Sequence, residues 1–510
     1  MKYIVVTGGV ISGIGKGITS SSIGFLLKNL GLRVTAIKID PYFNVDAGLM
    51  SPYEHGEVYV LEDGTETDLD LGNYERFLGI KLTKNHSITS GRIFWEVINA
   101  ERGGRYLGKT VQIMPHVTDH IKGSIKNTAL IDVGNGTPDV CIIEVGGTVG
   151  DMEGAHFTES IRQLMYEDPK SWCSVHVSLL VDIGGECKTK PTQNSIRELR
   201  KVGITPDFIV CRSKSEPSRQ ELDKIGLMCQ VSVDNIIKAV NVESIYKVPE
   251  KFYEQKIHDK IISKLGMFPE LLRKEDVPET IQSIFNVPPQ FTTSVNIGIV
   301  GKYTTQVDSY LSVIRAIDHA SFSVGVRTNP IWIEASLETK ELMIKLNSCD
   351  AVIIPGGFGI RGTQDMIEIA EWTLKNKVPT LGICLGFQIM SIVLSRFITP
   401  TIISEEFMIN RDPSLPLLFT KGDMKVGSHK ISDQDFVGNW KHNHNKDVTE
   451  RFRHRYHIVN NADKIVYNNI SNALLSEHPL WFGVQFHPEF NSAWGTPSPY
   501  FVELLKIAKK

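Results

Sequence analysis

Cysteine is scarce in this chain, seven residues in 510, and no two are spaced as Cys-x-x-Cys. That scatter suits a reducing compartment rather than a disulfide framework. Long apolar runs are missing too: none approaches the roughly 20 residues that span a bilayer. Met1-Lys2-Tyr3-Ile4-Val5-Val6-Thr7-Gly8 leads directly into a strand, so no leader is expected. Net charge is nearly absent, because 55 Lys and Arg stand against 58 Asp and Glu for a formal −3, with the signs interspersed. Such a balance leaves no footprint for nucleic acid or an anionic membrane. Internal repeats are not evident. The expectation is a cytoplasmic protein of two to four domains with neither nucleic acid nor membrane as partner. One local bias, Trp440-Lys441-His442-Asn443-His444-Asn445-Lys446, lacks acidic or Cys partners at metal-ligand spacing and reads as a solvated loop.

One cysteine differs from the other six. Cys384 is flanked as Gly382-Ile383-Cys384-Leu385-Gly386, between an apolar run at 378–381 and a helix-like stretch at 387–397. A glycine on each side permits the tight strand-to-helix turn that exposes a nucleophile, and a helix N-terminus favours thiolate. About a hundred residues later His487-Pro488-Glu489 supplies a base and a group to orient it. Cys141, Cys173, Cys187, Cys211, Cys229 and Cys349 have no such flanks and read as ordinary core or surface residues. The chemistry expected at Cys384 is thioester formation.

Short Val/Ile-rich strands alternate with amphipathic segments over residues 3–248, at 4–6, 34–39, 140–145, 175–181 and 208–211. This predicts a doubly wound parallel sheet covered by helices on both faces. A second α/β series begins at Val295-Asn296-Ile297-Gly298-Ile299-Val300 and includes Ala351-Val352-Ile353-Ile354-Pro355. The prolines and charges between them mark a linker, giving domains at 1–268 and 294–510 joined by 269–293.

The first strand runs into Gly8-Gly9-Val10-Ile11-Ser12-Gly13-Ile14-Gly15-Lys16-Gly17 and then a helix over 18–29. Glycines let backbone N–H groups turn toward phosphate, and the helix terminus and lysine add positive potential. The stretch resembles a P-loop, except that Gly17 stands where the usual motif places a Ser or Thr on magnesium. Asp70 and Glu144, the latter at a strand's C-terminal end, are the candidate metal carboxylates.

Six further segments stand in order along the chain: Val6-Thr7-Gly8-Gly9-Val10, Lys38-Ile39-Asp40-Pro41-Tyr42, Met50-Ser51-Pro52-Tyr53-Glu54-His55-Gly56-Glu57-Val58, Asp68-Leu69-Asp70-Leu71-Gly72-Asn73-Tyr74-Glu75-Arg76-Phe77, Glu144-Val145-Gly146-Gly147-Thr148-Val149-Gly150-Asp151 and Lys188-Thr189-Lys190-Pro191-Thr192-Gln193. Taken together, these motifs resemble those of CTP synthases. The resemblance implies conversion of UTP to CTP with ATP, Mg2+ and glutamine, in a P-loop-like synthetase domain fused to a class I glutamine amidotransferase domain. By position, Ser12, Gly13, Ile14, Gly15, Lys16, Gly17 and Lys38 would hold ATP phosphates, and Arg212 and Val242 its adenine. Asn241, in the same segment, stands where relatives often carry Asp. Asp70 and Glu144 would hold magnesium. Asp151, Glu153, Lys188, Lys190, Gln193, Lys224 and again Ser12 would bind UTP or inhibitory CTP, and His55 and Val58 would lie near an internal ammonia path.

In the second domain, Pro355-Gly356-Gly357-Phe358-Gly359-Ile360-Arg361-Gly362 resembles an oxyanion segment, with Gly357 and Leu385 as N–H donors. Gln388, Glu406 and Arg455 match glutamine contacts. Arg361, Lys302 and Tyr303 match positions tied to GTP activation, and Lys302 and Tyr303 read equally as caps of the strand begun at Val295. Departures from the family pattern are Phe387, the partial match over 402–407, His457, and a short 408–446 region. The family also implies a homotetramer and filaments. Two alternatives remain at this level: another glutamine-dependent amidoligase of the cobyrinic acid diamide synthase type, and a scaffold or filament protein on this fold.

Overall fold

The computed structural model describes residues 1–134, 136–267, 291, 293–335, 339–396, 403–404, 417–431, 448–458, 474–478 and 481–509. The expected linker at 269–293, apart from 291 and 293, lies outside them, as do Glu406, the 440–446 tract and most of the divergent 402–446 region. The chain forms two compact units, Met1–Ala47 with Asp70–Asn286, and Gly48–Leu69 with Val287–Lys510. No described helix is long and apolar enough to cross a membrane.

The first unit holds seven parallel strands: β1 (Lys2–Gly8), β2 (Val34–Asp40), β3 (Ser87–Thr89), β4 (Val140–Val145), β5 (Trp172–Leu179), β6 (Phe208–Ser213) and β7 (Ile236–Val240). Their order is β7-β6-β5-β1-β4-β2-β3. Every residue of β2 and β4 is buried, as expected where helices cover both faces of a parallel sheet. The chain builds outward from β1 in one direction with β2 and in the other with β5, so the loops after the central strands diverge and leave a crevice at their C-terminal ends. Register places Glu144 beside both Val6 and Lys38. Helix α1 (Lys16–Asn29) leaves the loop after β1. The five strands expected from the sequence are all present, while β3 and β7 were not anticipated.

In the second unit β8 (Ser294–Gly301), β9 (Arg327–Glu334), β10 (Ala351–Ile354), β11 (Thr380–Ile383), β14 (Leu474–His478) and β15 (Trp481–Val484) form one sheet in the order β9-β8-β10-β11-β15-β14. Its pairs are parallel except β14 with β15. Helix α2 (Leu385–Ser395) follows β11 and is buried along its whole length. A long antiparallel pair, β12 (Leu417–Ile431) with β13 (Val448–Ile458), stands apart from that sheet. The segment Gly48–Leu69 belongs to this unit through specific bonds. Arg451 Nη1 donates to the Tyr59 hydroxyl and the Val60 carbonyl, each at 2.9 Å. The Glu57 N–H donates to the Asp308 carbonyl at 2.8 Å, and the Ser312 N–H to Glu57 Oε2 at 2.8 Å.

Candidate functional sites: a cysteine cavity and a phosphate crevice

Cys384 sits between β11 and α2 with φ 52° and ψ −99°. A positive φ in a non-glycine residue stores strain and recurs at functional sites. Both flanking glycines are required by close approach rather than by freedom of rotation. A Cβ on Gly382 would stand 2.4 Å from Met390 Sδ, and one on Gly386 only 1.9 Å from the Ile354 carbonyl oxygen. The turn therefore packs too tightly for any other residue, and it ends with the sulfur 3.5 Å from the Arg453 carbonyl.

His487 and Glu489 arrive on the loop after β15. His487 Nδ1 lies 2.8 Å from Glu489 Oε1, and the His487 N–H donates to the Arg451 carbonyl at 2.7 Å. Burial works against a charged ring, but Glu489 and Cys384 outweigh it and push His487 up to about 10. A protonated imidazole is the partner that stabilises a neighbouring thiolate. Glu489 holds Nδ1, which leaves Nε2 as the ring nitrogen not engaged by the carboxylate.

These residues line a cavity of about 550 Å³ together with Gly356, Gly357, Tyr303, Arg455 and Val58. Gly357 and Leu385, the expected oxyanion donors, are neighbours: a Cβ on Gly357 would meet Leu385 Cδ2 at 3.3 Å. Gln388 is buried outside the cavity lining, its Nε2 donating to Gln485 Oε1 at 3.3 Å. Lys302 is buried, and its Nζ donates to the carbonyls of Phe358, at 3.3 Å, and Gly359. Its ammonium thus braces the Gly357 loop, a role neither sequence reading contained. Arg361 bonds the Tyr53 hydroxyl and the Lys302 carbonyl. His55 is exposed. Of the divergent positions, Phe387 is wholly buried and meets Phe419 edge-on, so that departure lies in the core. The His457 ring bonds the Asp423 carbonyl at 3.0 Å.

Arg453 escaped the sequence reading. It lines the same cavity, pairs through Nε with Glu66 Oε1 at 2.6 Å, donates to the Gly48 carbonyl at 3.1 Å, and lies 4.9 Å from the centre of the Phe358 ring. The signal was available, since residues 453 and 455 fall two apart on one strand and share a face.

In the first unit a second cluster gathers at the strand ends. Lys38 Nζ pairs with Asp70, with Glu144 Oε1 at 3.0 Å and with Asp40 Oδ1 at 3.6 Å. The Tyr74 hydroxyl donates to Glu144 Oε2. Tyr74 was not anticipated, although it lies four residues beyond Asp70 on one helix, Leu69–Leu78. Lys16 Nζ donates to the Gly147 carbonyl at 2.7 Å. Burial and the Asp70 charge raise Glu144 to about 7. Burial opposes ionisation of Asp70 as well, yet Lys38 holds it below the usual carboxylate range. Burial also lowers Lys16. The departure at Gly17 now has a cause: a Cβ there would stand 2.1 Å from Asp70 Oδ1. The Asp70 carboxylate fills the space any side chain at position 17 would need.

Arg212 and Val242 line one cavity of about 350 Å³ that also includes Gly15, Ile14 and Asn241. Arg212 Nη1 donates to the Gly13 carbonyl at 3.2 Å, and its Nε approaches Asn241 Oδ1 at 3.5 Å. Asp151, Glu153, Lys190 and Lys224 are exposed, Lys188 pairs with Glu186 at 2.6 Å, and Gln193 is buried. None of these pyrimidine candidates lines either cavity.

A phosphate-loop α/β unit and a unit built around a buried Cys-His-Glu set define a glutamine amidotransferase-linked synthetase. A family model described as CTP synthase N-terminus matches residues 2–267, and one described as glutamine amidotransferase class-I matches 305–507. The chain is 42% identical to CTP synthase 2 of Saccharomyces cerevisiae, covering 100% of this chain and 96% of the relative. It is also 42% identical to CTP synthase of Dictyostelium discoideum, at 100% and 99% coverage. A solved structure, "Trypanosoma brucei CTPS - glutaminase domain with bound acivicin", is similar at 26% identity with a TM-score of 0.35, over 42% of this chain and 93% of that one. The chain belongs to the CTP synthase family.

Proposed function

We propose that the protein aminates UTP to CTP, consuming ATP and glutamine. The observation that carries this reading is the coincidence of the two clusters, Lys16-Lys38-Asp70-Glu144 and Cys384-His487-Glu489, in a chain related to CTP synthases over its full length. The same family match decides against an amidoligase of the cobyrinic acid diamide synthase type.

In the glutaminase half, Cys384 sulfur attacks the glutamine side-chain carbonyl, and the oxyanion is received by the N–H groups of Gly357 and Leu385. Each such donor is worth roughly a hundredfold in rate or more. The C–N bond breaks as His487 gives its proton to the leaving ammonia, and water then hydrolyses the thioester to glutamate with His487 as base. Arg455, on the cavity wall, suits the substrate α-carboxylate, and a two-bonded guanidinium grip would fix its orientation. Gln388 and Glu406 complete the glutamine contacts in this proposal.

In the synthetase half, uracil O4 is a poor leaving group, so it accepts the ATP γ-phosphoryl. Ammonia then attacks C4 and phosphate departs. Lys16, Lys38 and the loop of Ser12, Gly13, Ile14, Gly15 and Gly17 hold the phosphates, and Arg212 and Val242 border the adenine. Magnesium fits the donor set, because Asp70 and Glu144 are hard oxygen ligands already converging on one cation, the Lys38 ammonium. When bound it would offset charge on the transferring phosphoryl oxygens. The exposed Asp151, Glu153, Lys190 and Lys224, with Lys188 and Gln193, form the UTP and CTP site on assembly of a homotetramer. GTP activation through Lys302, Tyr303 and Arg361, CTP inhibition, filament formation and cytoplasmic residence complete the proposal, with an ammonia path past Val58 and His55.

Cys384→Ala tests the division of labour: glutamine-dependent CTP formation is expected to vanish while ammonium-dependent formation persists. Loss of both would assign Cys384 a structural role.

A further inference from the structure

Tyr53 is a residue none of the roles above uses, and it is heavily engaged. It lies in the short helix Pro52–His55. Its hydroxyl donates to the Lys302 carbonyl, and Arg361 Nη2 donates both to that hydroxyl and to the same carbonyl. The Arg361 guanidinium lies 5.4 Å from the Tyr53 ring centre, and Tyr303 meets the ring edge-on at 5.1 Å. The backbone at Lys302 is thus held by an aromatic hydroxyl and a guanidinium at once.

Lys302 passes this constraint to the loop after β10. Its ammonium donates to the carbonyls of Phe358 and Gly359. Its Cδ would stand 3.5 Å from a Cβ on Gly357. Two consecutive carbonyls bound by one ammonium set the direction of the peptide planes that follow Gly357, and the Lys302 stem packs against Gly357 itself. The segment that carries Tyr53 also supplies Val58 to the wall of the Cys384 cavity.

We infer that Tyr53 is a positioning residue for the oxyanion loop: seating of the 52–58 segment holds Lys302, and Lys302 holds the loop that presents the Gly357 N–H. The inference rests on the glutaminase reading above. Glutamine hydrolysis then runs at full rate only while that segment is seated, which ties the first reaction to the stretch of chain expected to border the ammonia path.

Tyr53→Phe removes the hydroxyl and keeps the ring. Losing a hydrogen bond that orients a catalytic donor is expected to lower kcat for glutamate release roughly tenfold, with the glutamine KM little changed. Two probes separate positioning from general damage. Glutamate γ-semialdehyde forms a tetrahedral adduct on the cysteine whose oxygen needs the oxyanion donors, whereas iodoacetamide alkylates the sulfur without them. The variant should bind the aldehyde weaker by about the factor lost in kcat, and its Cys384 should react with iodoacetamide at the wild-type rate. Ammonium-dependent synthesis should be unchanged. An unaltered kcat, or a lower kcat with unaltered aldehyde affinity, would overturn the inference, and so would a parallel fall in iodoacetamide labelling. Glutamate release needs no UTP, so a wild-type protein unable to make CTP from either nitrogen source would refute the proposed reaction while leaving this comparison readable.

Discussion

Replacing Gly17 by alanine probes the phosphate crevice at the point where the chain departs from the usual P-loop. The added carbon would stand 2.1 Å from Asp70 Oδ1 and 2.8 Å from its Cγ. Carbon and oxygen settle near 3.5 Å, so the carboxylate must retreat by about 1.4 Å. It cannot do so without cost, because Lys38 and, at 3.3 Å, Asn73 Nδ2 hold it. Overpacking of this kind costs about 1–3 kcal/mol, which lowers Tm by several degrees in a domain of this size. The larger effect is on catalysis, since a 1 Å error in a positioning group is worth about a hundredfold in rate. Ammonium-dependent CTP formation is the assay, because it bypasses Cys384. A rate reduced about a hundredfold, with glutamate release retained, is the expected result. Wild-type ammonium-dependent turnover would refute the reasoning, for it would show that the Asp70 position does not matter to phosphoryl transfer.

Glu144, raised to about 7 by burial and by Asp70, makes the first unit sensitive to pH. Because its folded pKa lies above the unfolded value of about 4.3, its stabilising contribution is complete below that value and is lost as pH rises through about 7. Thermal melts of the nucleotide-free protein should therefore show Tm falling over this window, and Glu144→Gln should flatten that part of the profile; an unchanged profile would contradict the assignment. Arg212 borders the cavity assigned to adenine, where a guanidinium stacked on the base is worth about 1–2 kcal/mol. Arg212→Ala should raise the KM for ATP roughly tenfold and leave the KM for UTP alone, a split that steady-state kinetics with ammonium can resolve.

The tight turn that carries Cys384 was legible because its demands are local. Only glycine fits at 382 and 386, and the spacing from Cys384 to His487-Pro488-Glu489 leaves room for the β-structure between. The first sheet was legible from buried apolar strands, though Ser87–Thr89 is too short to announce itself and Ile236–Val240 carries a lysine at its centre. What could not be read was long-range pairing. Nothing in the periodicity of 48–69 reveals that Tyr59 and Val60 meet Arg451, or that Glu66 meets Arg453. For the same reason Lys302 read as a GTP contact or a strand cap, when the carbonyls its ammonium bonds lie more than fifty residues on. Gly17 was recognised as a departure, but its reason, the carboxylate of Asp70, is visible only in three dimensions.

The most direct test of the central claim is CTP formation by the purified protein given ATP, UTP and magnesium, with glutamine and GTP in one sample and ammonium in another. Product from both nitrogen sources is the predicted result; no CTP from either would contradict the proposal that this chain aminates UTP.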